Sequence, residues 1–346
     1  MIINLISDTV TIPTADMLKS MMAAKVGDDV FGEDPTVNQL QEKAAALFGM
    51  ESALFCPSGT MTNQIAIKTH TQALDEMICD QSSHVYQYES AGFAFTSGIS
   101  IALIEGENGK ITADQIADKI KPDFDWHPKS KLVVLENTCN KGGGSIYTLA
   151  EIKPIRKLCL DKHLKLHLDG ARIFNALVET KETPLAMGQL FDSISICLSK
   201  GLGAPVGSLL IGNKSFIQQA KRFRKVMGGG MRQAGYLAAA GIYALEHHIE
   251  RLKIDNDRAK QMGQLLSEQR YVKSVNPVQS NIIIFHLQGD LMANTVVDQL
   301  KKYNILASPF GSQTIRFVFH LDINEAMMKN IETTLLQIEN DLFPVA

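Results

Sequence analysis

Two residues are of types that could do chemistry together. Lys200 lies in Leu198-Ser-Lys-Gly201, directly after the apolar, β-branched run Ile194-Ser-Ile-Cys197. Asp169 lies in His167-Leu-Asp-Gly-Ala-Arg172, at the end of a run that begins at Leu164. Both runs read as strands, and open α/β sheets bind ligands beyond the carboxyl ends of their strands. A lysine amine placed there forms an imine with a carbonyl. A carboxylate keeps a heteroaromatic nitrogen protonated so that its ring accepts electrons. That pair is what pyridoxal 5'-phosphate (PLP) requires. Taken singly, Asp169 also reads as a helix cap and Lys200 as a surface lysine, and the shared strand-end setting is what favours the cofactor. Gly170 and Gly201 leave room for close approach of backbone or ligand.

A PLP site must also hold a phosphate dianion. Pro57-Ser-Gly-Thr-Met-Thr-Asn63 follows the strand-like Ala53-Leu-Phe-Cys56 and precedes a helical stretch, and a glycine-containing turn at a helix start points amides and hydroxyls at an anion. It reads equally as an ordinary N-cap through Gly59 and Thr60. His84, in Ser82-Ser-His-Val-Tyr86, offers an imidazole that can stack on a pyridine ring and act as a base near neutral pH. His127, in Asp125-Trp-His-Pro128, is a second histidine in a polar loop, where simple exposure also accounts for it. Arg172 and Arg316 are the candidates for a substrate carboxylate, because the guanidinium fork matches it bidentately. Arg316 is conspicuous in Ile315-Arg-Phe-Val-Phe319, since a charge in an apolar strand is costly unless paired or at an edge. The run Lys221-Arg-Phe-Arg-Lys225, followed by Gly228-Gly-Gly-Met-Arg-Gln233, reads as a solvated helix face with its terminating glycines, or as a phosphate contact for a partner subunit. Gly201-Leu-Gly-Ala-Pro-Val-Gly207 lacks the spacing and strand–helix setting of a dinucleotide fingerprint.

These residues need elements to carry them. Asp34-Pro35 opens a helix whose apolar residues Val37, Leu40, Ala44 and Leu47 recur at three- and four-residue spacing up to Gly49. Lys131–Glu136 reads as a buried parallel strand. Thr148 and Glu151 form a capping-box pattern before a helix that contains Pro154, which predicts an irregular start or a kink there. The repeat of strand, helix and strand predicts an α/β fold with an open, mostly parallel sheet. From Glu246 to about Leu266 the pattern predicts one polar helix, then a strand at 281–287, a helix at 296–302, a strand at 314–320 and a helix at 323–342. The expected units are a large α/β domain over 1–245, including the N-terminal segment, and a small α+β domain over 246–346.

Composition sets limits. The chain has 346 residues, a net charge of −3, 45% hydrophobic and 21% charged residues, which suits a globular enzyme and gives no basic surface for nucleic acid or anionic membrane. No apolar run approaches the roughly 20 residues needed to cross a bilayer. The opening Met-Ile-Ile-Asn-Leu-Ile-Ser-Asp lacks the length and basic start of a signal peptide, so a cytoplasmic location is expected. The five cysteines have no metal-ligand spacing, and Cys159 and Cys197 are expected as buried thiols.

These stretches together resemble the low-specificity L-threonine aldolases, in the β-eliminating-lyase group of fold-type-I PLP enzymes. The resemblance runs through Ser7-Asp-Thr-Val-Thr11, Gly27-Asp-Asp-Val-Phe-Gly-Glu-Asp-Pro35, Pro57–Thr60, His84, Leu135-Glu-Asn-Thr138, His167–Arg172, Leu198–Gly201 and Gly228–Gln233. It implies an aspartate-aminotransferase-like large domain and a small C-terminal one. It implies that Lys200 carries the cofactor as an imine, that Asp169 pairs with its ring nitrogen and that His84 stacks on the ring. Gly59 and Thr60 would hold its phosphate, with Arg172 at the cofactor's edge. Ser7, Arg172 and Arg316 would bind the substrate carboxylate. Arg232, with Lys225 as a weaker candidate, would reach the phosphate of a neighbouring subunit in a homotetramer that shares its active sites. The implied reaction is retro-aldol cleavage of L-threonine or L-allo-threonine to glycine and acetaldehyde, with related β-hydroxy-α-amino acids as further substrates. His84 is the first candidate for the base, His127 or a bound water the rivals, and Glu89 would tune His84 or share in proton transfer. One departure stands out: Asn137-Thr-Cys139-Asn140 has a cysteine where the family pattern has histidine. The rival readings are a PLP lyase or transaminase with other products, and a catalytically idle scaffold with the same fold.

Overall fold

The computed structural model describes residues 2–342, so residue 1 and residues 343–346, at the ends of the two expected units, lie outside it. After a two-residue strand β1 (Ile3–Asn4), the strands β2 (Ser52–Cys56), β3 (Asp75–Asp80), β4 (Ser100–Ile104), β5 (Lys129–Glu136), β6 (Lys165–Gly170), β7 (Ser193–Cys197) and β8 (Ser208–Gly212) follow. The last seven form one sheet in the order β2-β8-β7-β6-β5-β3-β4, in which only β8 runs against its neighbours. Helices between the strands cover the sheet, and strands such as β7 and β8 are buried at every residue. Burial on both faces explains their continuous apolar character. The main core gathers Val133, Leu135, Leu166, Leu168, Ile194 and Ile196 from β5, β6 and β7.

The later strands are β9 (Val272–Val275), β10 (Ile282–Leu287), β11 (Ile305–Leu306), β12 (Ser308–Gly311) and β13 (Thr314–Val318), of which all but β11 form a smaller antiparallel sheet. Its strand order is β12-β13-β10-β9, and β11 pairs separately and in parallel with β1. The N-terminal residues, grouped by pattern with the larger unit, run along the smaller one instead. Ile3 and Leu5 join its core beside Phe285 and Phe317, and the Val318 amide donates to the Leu5 carbonyl at 2.9 Å.

The expected single helix from Glu246 is two. One spans Gly235–His247 and the next Leu252–Ser267. The break re-aims the chain from one core to the other, since Leu252 packs in the first and Ala259 in the second. His248 at the break points its Nδ1 at the Leu202 carbonyl, 2.7 Å away, which fixes the turn. The helix Leu149–Asp161 keeps both halves of its capping box and continues through Pro154.

Asp34 shows how local sequence and long-range packing combine. It caps the helix Pro35–Leu47 by accepting from Thr36 and Val37, and its other oxygen accepts from Gly27 and Gly235 at 3.2 and 2.9 Å. A Cβ at residue 235 would lie 2.5 Å from that carboxylate, so only glycine fits there. Asp34→Ala, which orphans four amides, is expected to destabilise the fold by about 3 kcal/mol in urea denaturation. Asp34→Asn keeps one acceptor oxygen and recovers part of that loss.

Candidate active site

The parallel register of β5 and β6 sets Glu136 beside Asp169 at the carboxyl end of the sheet. The loop after β7 brings Lys200 to the same end, half-buried, with its side-chain amine in no hydrogen bond or ion pair among the described residues. The helix Gly59–His70 starts there too, capped by Ser58, whose Oγ accepts from Met61. Ser58 and Thr60 are exposed, so the unpaired first-turn amides open outward. A Cβ at Gly59 would sit 2.6 Å from the Cys197 sulfur, which requires glycine at this position.

Asn63, one turn into that helix, is the hub of the site. Its Nδ2 donates to Glu89 Oε1 and to Asp169 Oδ2, both at 2.9 Å. Glu89 also takes a 2.5 Å bond from Gln64 and lies 2.9 Å from His84 Nδ1. His84, Glu89 and Asp169 offer atoms that all lie within 4.8 Å of one another. A carboxylate on Nδ1 makes that nitrogen the protonated one and leaves Nε2 as the basic atom of a neutral ring. Burial disfavours the His84 cation, but the bond from Glu89 and the charge of Asp169 outweigh it and raise its pKa. Glu136 accepts from the backbone amides of His84 and Asn140 at 2.7 and 2.8 Å. Burial, helped by the charge of Asp169, pushes the Glu136 carboxyl up to about 7.

The two arginines differ sharply. Arg172 is buried, and its Nε and Nη2 grip Asp8 at 2.7 and 2.6 Å. Burial works against the Asp8 charge, but Arg172 outweighs it and holds the carboxyl down at about 2. Arg316, on β13, has no carboxylate among the described residues. Its Nη1 and Nη2 donate to Asn140 Oδ1 and to the Ile6 carbonyl at 2.8 Å, its plane lies over the Phe310 ring, and its buried Nε has no partner. Burial, then repulsion from Arg172, bring its pKa down to about 10.

Ser7 is half-buried beside Asp8 and caps the short turn that follows, accepting from Thr9 at 3.2 Å. His127 is elsewhere. It is exposed just before β5, at the opposite end of that strand from Glu136, and the eight residues of β5 separate the two by about 23 Å. It does not join His84 within one chain. Arg232 and Lys225 are exposed, and Arg232 pairs with Asp28 at 2.7 Å. Cys139 is buried, with its sulfur 3.0 Å from the Glu136 carbonyl and 3.4 Å from that of Gly109, and burial raises its pKa. Sequence patterns gave no separate weight to Asp8, Asn63, Glu136 or Asn140. Asp8 and Glu136 stand inside stretches that carry the resemblance and Asn63 and Asn140 just beyond two of them, but most of their partners lie far away in the chain.

A model of the beta-eliminating lyase family matches residues 4–289. The low-specificity L-threonine aldolase of Escherichia coli K12 is 43% identical over 334 residues, covering 95% of this chain and 97% of that protein. A probable low-specificity L-threonine aldolase 2 from Arabidopsis thaliana is 38% identical over 330 residues, covering 93% of each. This chain belongs to the beta-eliminating lyase family. The solved structure of a Leishmania major threonine aldolase shares its fold, with a TM-score of 0.84 at 21% identity over 97% of this chain and 99% of that one.

The family implies PLP, and the donor set fits it. An unpaired amine at Lys200, a carboxylate at Asp169, an imidazole at His84 and an open helix start at Gly59 occupy one end of one sheet. Three ligand-type side chains also converge as they would on a metal. Here the three groups are instead tied to one another by protein donors, Asn63 to both carboxylates and His84 to Glu89. Glu89→Gln removes the charge that favours the His84 cation and leaves burial opposing it. The His84 pKa is therefore expected to fall below its wild-type value, read by NMR titration of the imidazole ring protons in the apoprotein.

Proposed function

We propose that this enzyme is a PLP-dependent lyase that cleaves L-threonine and L-allo-threonine to glycine and acetaldehyde, and that it accepts other β-hydroxy-α-amino acids. The aldolase relatives support the reaction. The observation that carries the substrate class is Arg316, a half-buried guanidinium with an unpartnered Nε and no anionic partner among the described residues. Burying such a charge costs several kcal/mol unless an anion arrives, and an α-amino acid brings one.

Bound PLP supplies an electron sink for the pair released at Cα when the Cα–Cβ bond breaks. Lys200 would hold it, Asp169 would pair with its ring nitrogen, and Gly59 and Thr60 would present amides to its phosphate. Arg316 fixes the substrate carboxylate, with the Ser7 hydroxyl beside it. That anchor orients the substrate so that one bond is aligned for cleavage. Arg172 spends its fork on Asp8 and keeps Nη1 for the cofactor's edge, a narrower role than gripping a carboxylate. His84 takes the β-hydroxyl proton at Nε2, because Glu89 occupies Nδ1 and strengthens the ring as a base. The aldehyde then forms as that proton leaves and the carbon–carbon bond opens.

Residues 1–245 carry the cofactor in this scheme and residues 246–346 bring Arg316. Arg232 and Lys225, both exposed, are the residues we assign to a neighbouring subunit's phosphate in a cytoplasmic homotetramer with shared sites. His127, stranded from its own site, would act only in a neighbour's.

The test is product analysis of the PLP-loaded enzyme with L-threonine. Glycine and acetaldehyde in equal amounts are expected, and Lys200→Ala should abolish both. Arg316→Gln should raise KM about tenfold to a hundredfold, the loss of one charged contact, with a smaller change in kcat. Pyruvate and ammonia, or a keto acid, in place of glycine would overturn the assignment.

A further inference from the structure

The aldolase reading leaves a buried polar chain unused. It runs from His70 to Ser193, to His167, to Asn63 and then to the two carboxylates. His70 Nε2 lies 2.7 Å from Ser193 Oγ, and His167 Nδ1 lies 2.8 Å from the same oxygen. His167 Nε2 lies 3.2 Å from Asn63 Oδ1. Ser193, His167 and Asn63 are all buried.

The direction of every bond in this chain follows from its inner end. Asn63 Nδ2 meets two carboxylate oxygens, and these accept, so the amide cannot be flipped. Its Oδ1 therefore faces His167 and must receive a proton, which places the His167 proton on Nε2. Burial pushes His167 down to about 4, so the ring is neutral and its Nδ1 is bare. Ser193 must then donate to Nδ1, and its oxygen in turn accepts from His70 Nε2. His70 is also neutral, pushed down to about 3 by burial and then by His167, and its ring stacks on Phe216 with centroids 4.5 Å apart. All of the donors point one way, towards Asp169 and Glu89, and chains aligned like this strengthen each member.

We infer that Asn63 is a positioning residue that holds the Asp169 carboxylate apart from Glu89 and aimed at the cofactor, and that His167, Ser193 and His70 lock its amide in that orientation. One amide group thereby serves two tasks: it aims the partner of the ring nitrogen and it steadies the carboxylate that holds the base. Ser193 acts on the cofactor only through three intervening side chains, His167, Asn63 and Asp169. The inference rests on the reading of Asp169 as the ring-nitrogen partner.

The experiment titrates apo forms of Asn63→Ala, Ser193→Ala, Ser193→Cys and Asp169→Ala with PLP. It reads the dissociation constant and the balance of the bound cofactor's visible and near-ultraviolet bands, with thermal unfolding as the check that each apo form is folded. Asn63→Ala should weaken binding about tenfold to a hundredfold and shift the band balance. Ser193→Ala and Ser193→Cys should both weaken binding several-fold and shift the bands in the same direction as Asn63→Ala. Cysteine keeps a side chain at this position but is larger and a poor donor, so wild-type binding and bands in Ser193→Cys would show that the hydroxyl's hydrogen bonds do not matter and would overturn the inference. Wild-type binding and bands in Asn63→Ala and both serine variants, with Asp169→Ala impaired, would overturn it as well. An unimpaired Asp169→Ala would instead remove the cofactor reading on which it stands. If Asn63→Ala fails to fold, the two serine variants decide the matter alone.

Discussion

Glu89, Glu136 and Asp169 are buried together at one end of the larger sheet, and keeping three carboxylates there constrains everything around them. Glu89 and Asp169 oxygens less than 4.8 Å apart repel by about 3 kcal/mol at the effective dielectric of a protein site. The fold answers in three ways. It places donors between them, with Asn63 bridging two of the groups and Gln64 and the amides of His84 and Asn140 serving the outer oxygens. It stabilises a cation, since the His84 pKa is raised despite burial. It also lets one acid ionise late, because the Glu136 carboxyl reaches about 7. A site arranged in this way attracts a protonated heterocycle and a lysine amine, so the electrostatics that burden the apoprotein favour the cofactor.

The same reasoning separates the arginines. Arg172 and Asp8 form a buried pair whose two parallel bonds satisfy both charges. A pair of this kind adds little net stability over apolar packing, but removing one partner leaves an uncompensated charge. Asp8 is therefore the counter-charge that makes Arg172 tolerable. Arg316 has neutral oxygens and an aromatic face in place of a carboxylate, and the nearby Arg172 destabilises its charge further. Of two residues with the same chemistry, Arg172 already has its counter-charge in Asp8, and Arg316 is the one that lacks an anion among the described residues.

What the sequence made legible follows from the range of the interactions. The runs β5, β6 and β7 read as strands from local pattern, which sets Asp169 and Lys200 at strand ends, whereas Glu136 beside Asp169 follows from the pairing of β5 with β6, which no local pattern shows. The caps at Asp34, Ser58 and Thr148 were legible because their bonds span two or three residues. Asn63 reaches partners 104 and 106 residues away, so nothing in its local pattern announces a role, and Arg172, though a candidate from its setting, finds Asp8 across 164 residues, a partner no local pattern names. His127 failed as a partner of His84 for a geometric reason. A histidine before a parallel strand and one after its neighbour lie at opposite ends of the sheet, whatever their chemistry. The run from Glu246 hid its break because both halves are helical in pattern, and only the change of core explains where the chain turns.

The N-terminal segment shows how these constraints join. Ile3 and Leu5 belong to the core of the smaller unit, yet three residues later Asp8 grips Arg172 of the larger one and accepts from Asn281 of the smaller at 3.2 Å. Between them, the Ile6 carbonyl holds Arg316. A stretch of six residues therefore fixes the distance between the guanidinium that demands an anion and the sheet end that holds Lys200 and Asp169. Neither unit alone can set that distance, because each supplies only one of the two. In the proposed reading, an amino acid held by its carboxylate at Arg316 and by its nitrogen at the Lys200 end would span that gap, so this strap would help set which bond of the substrate is aligned for cleavage.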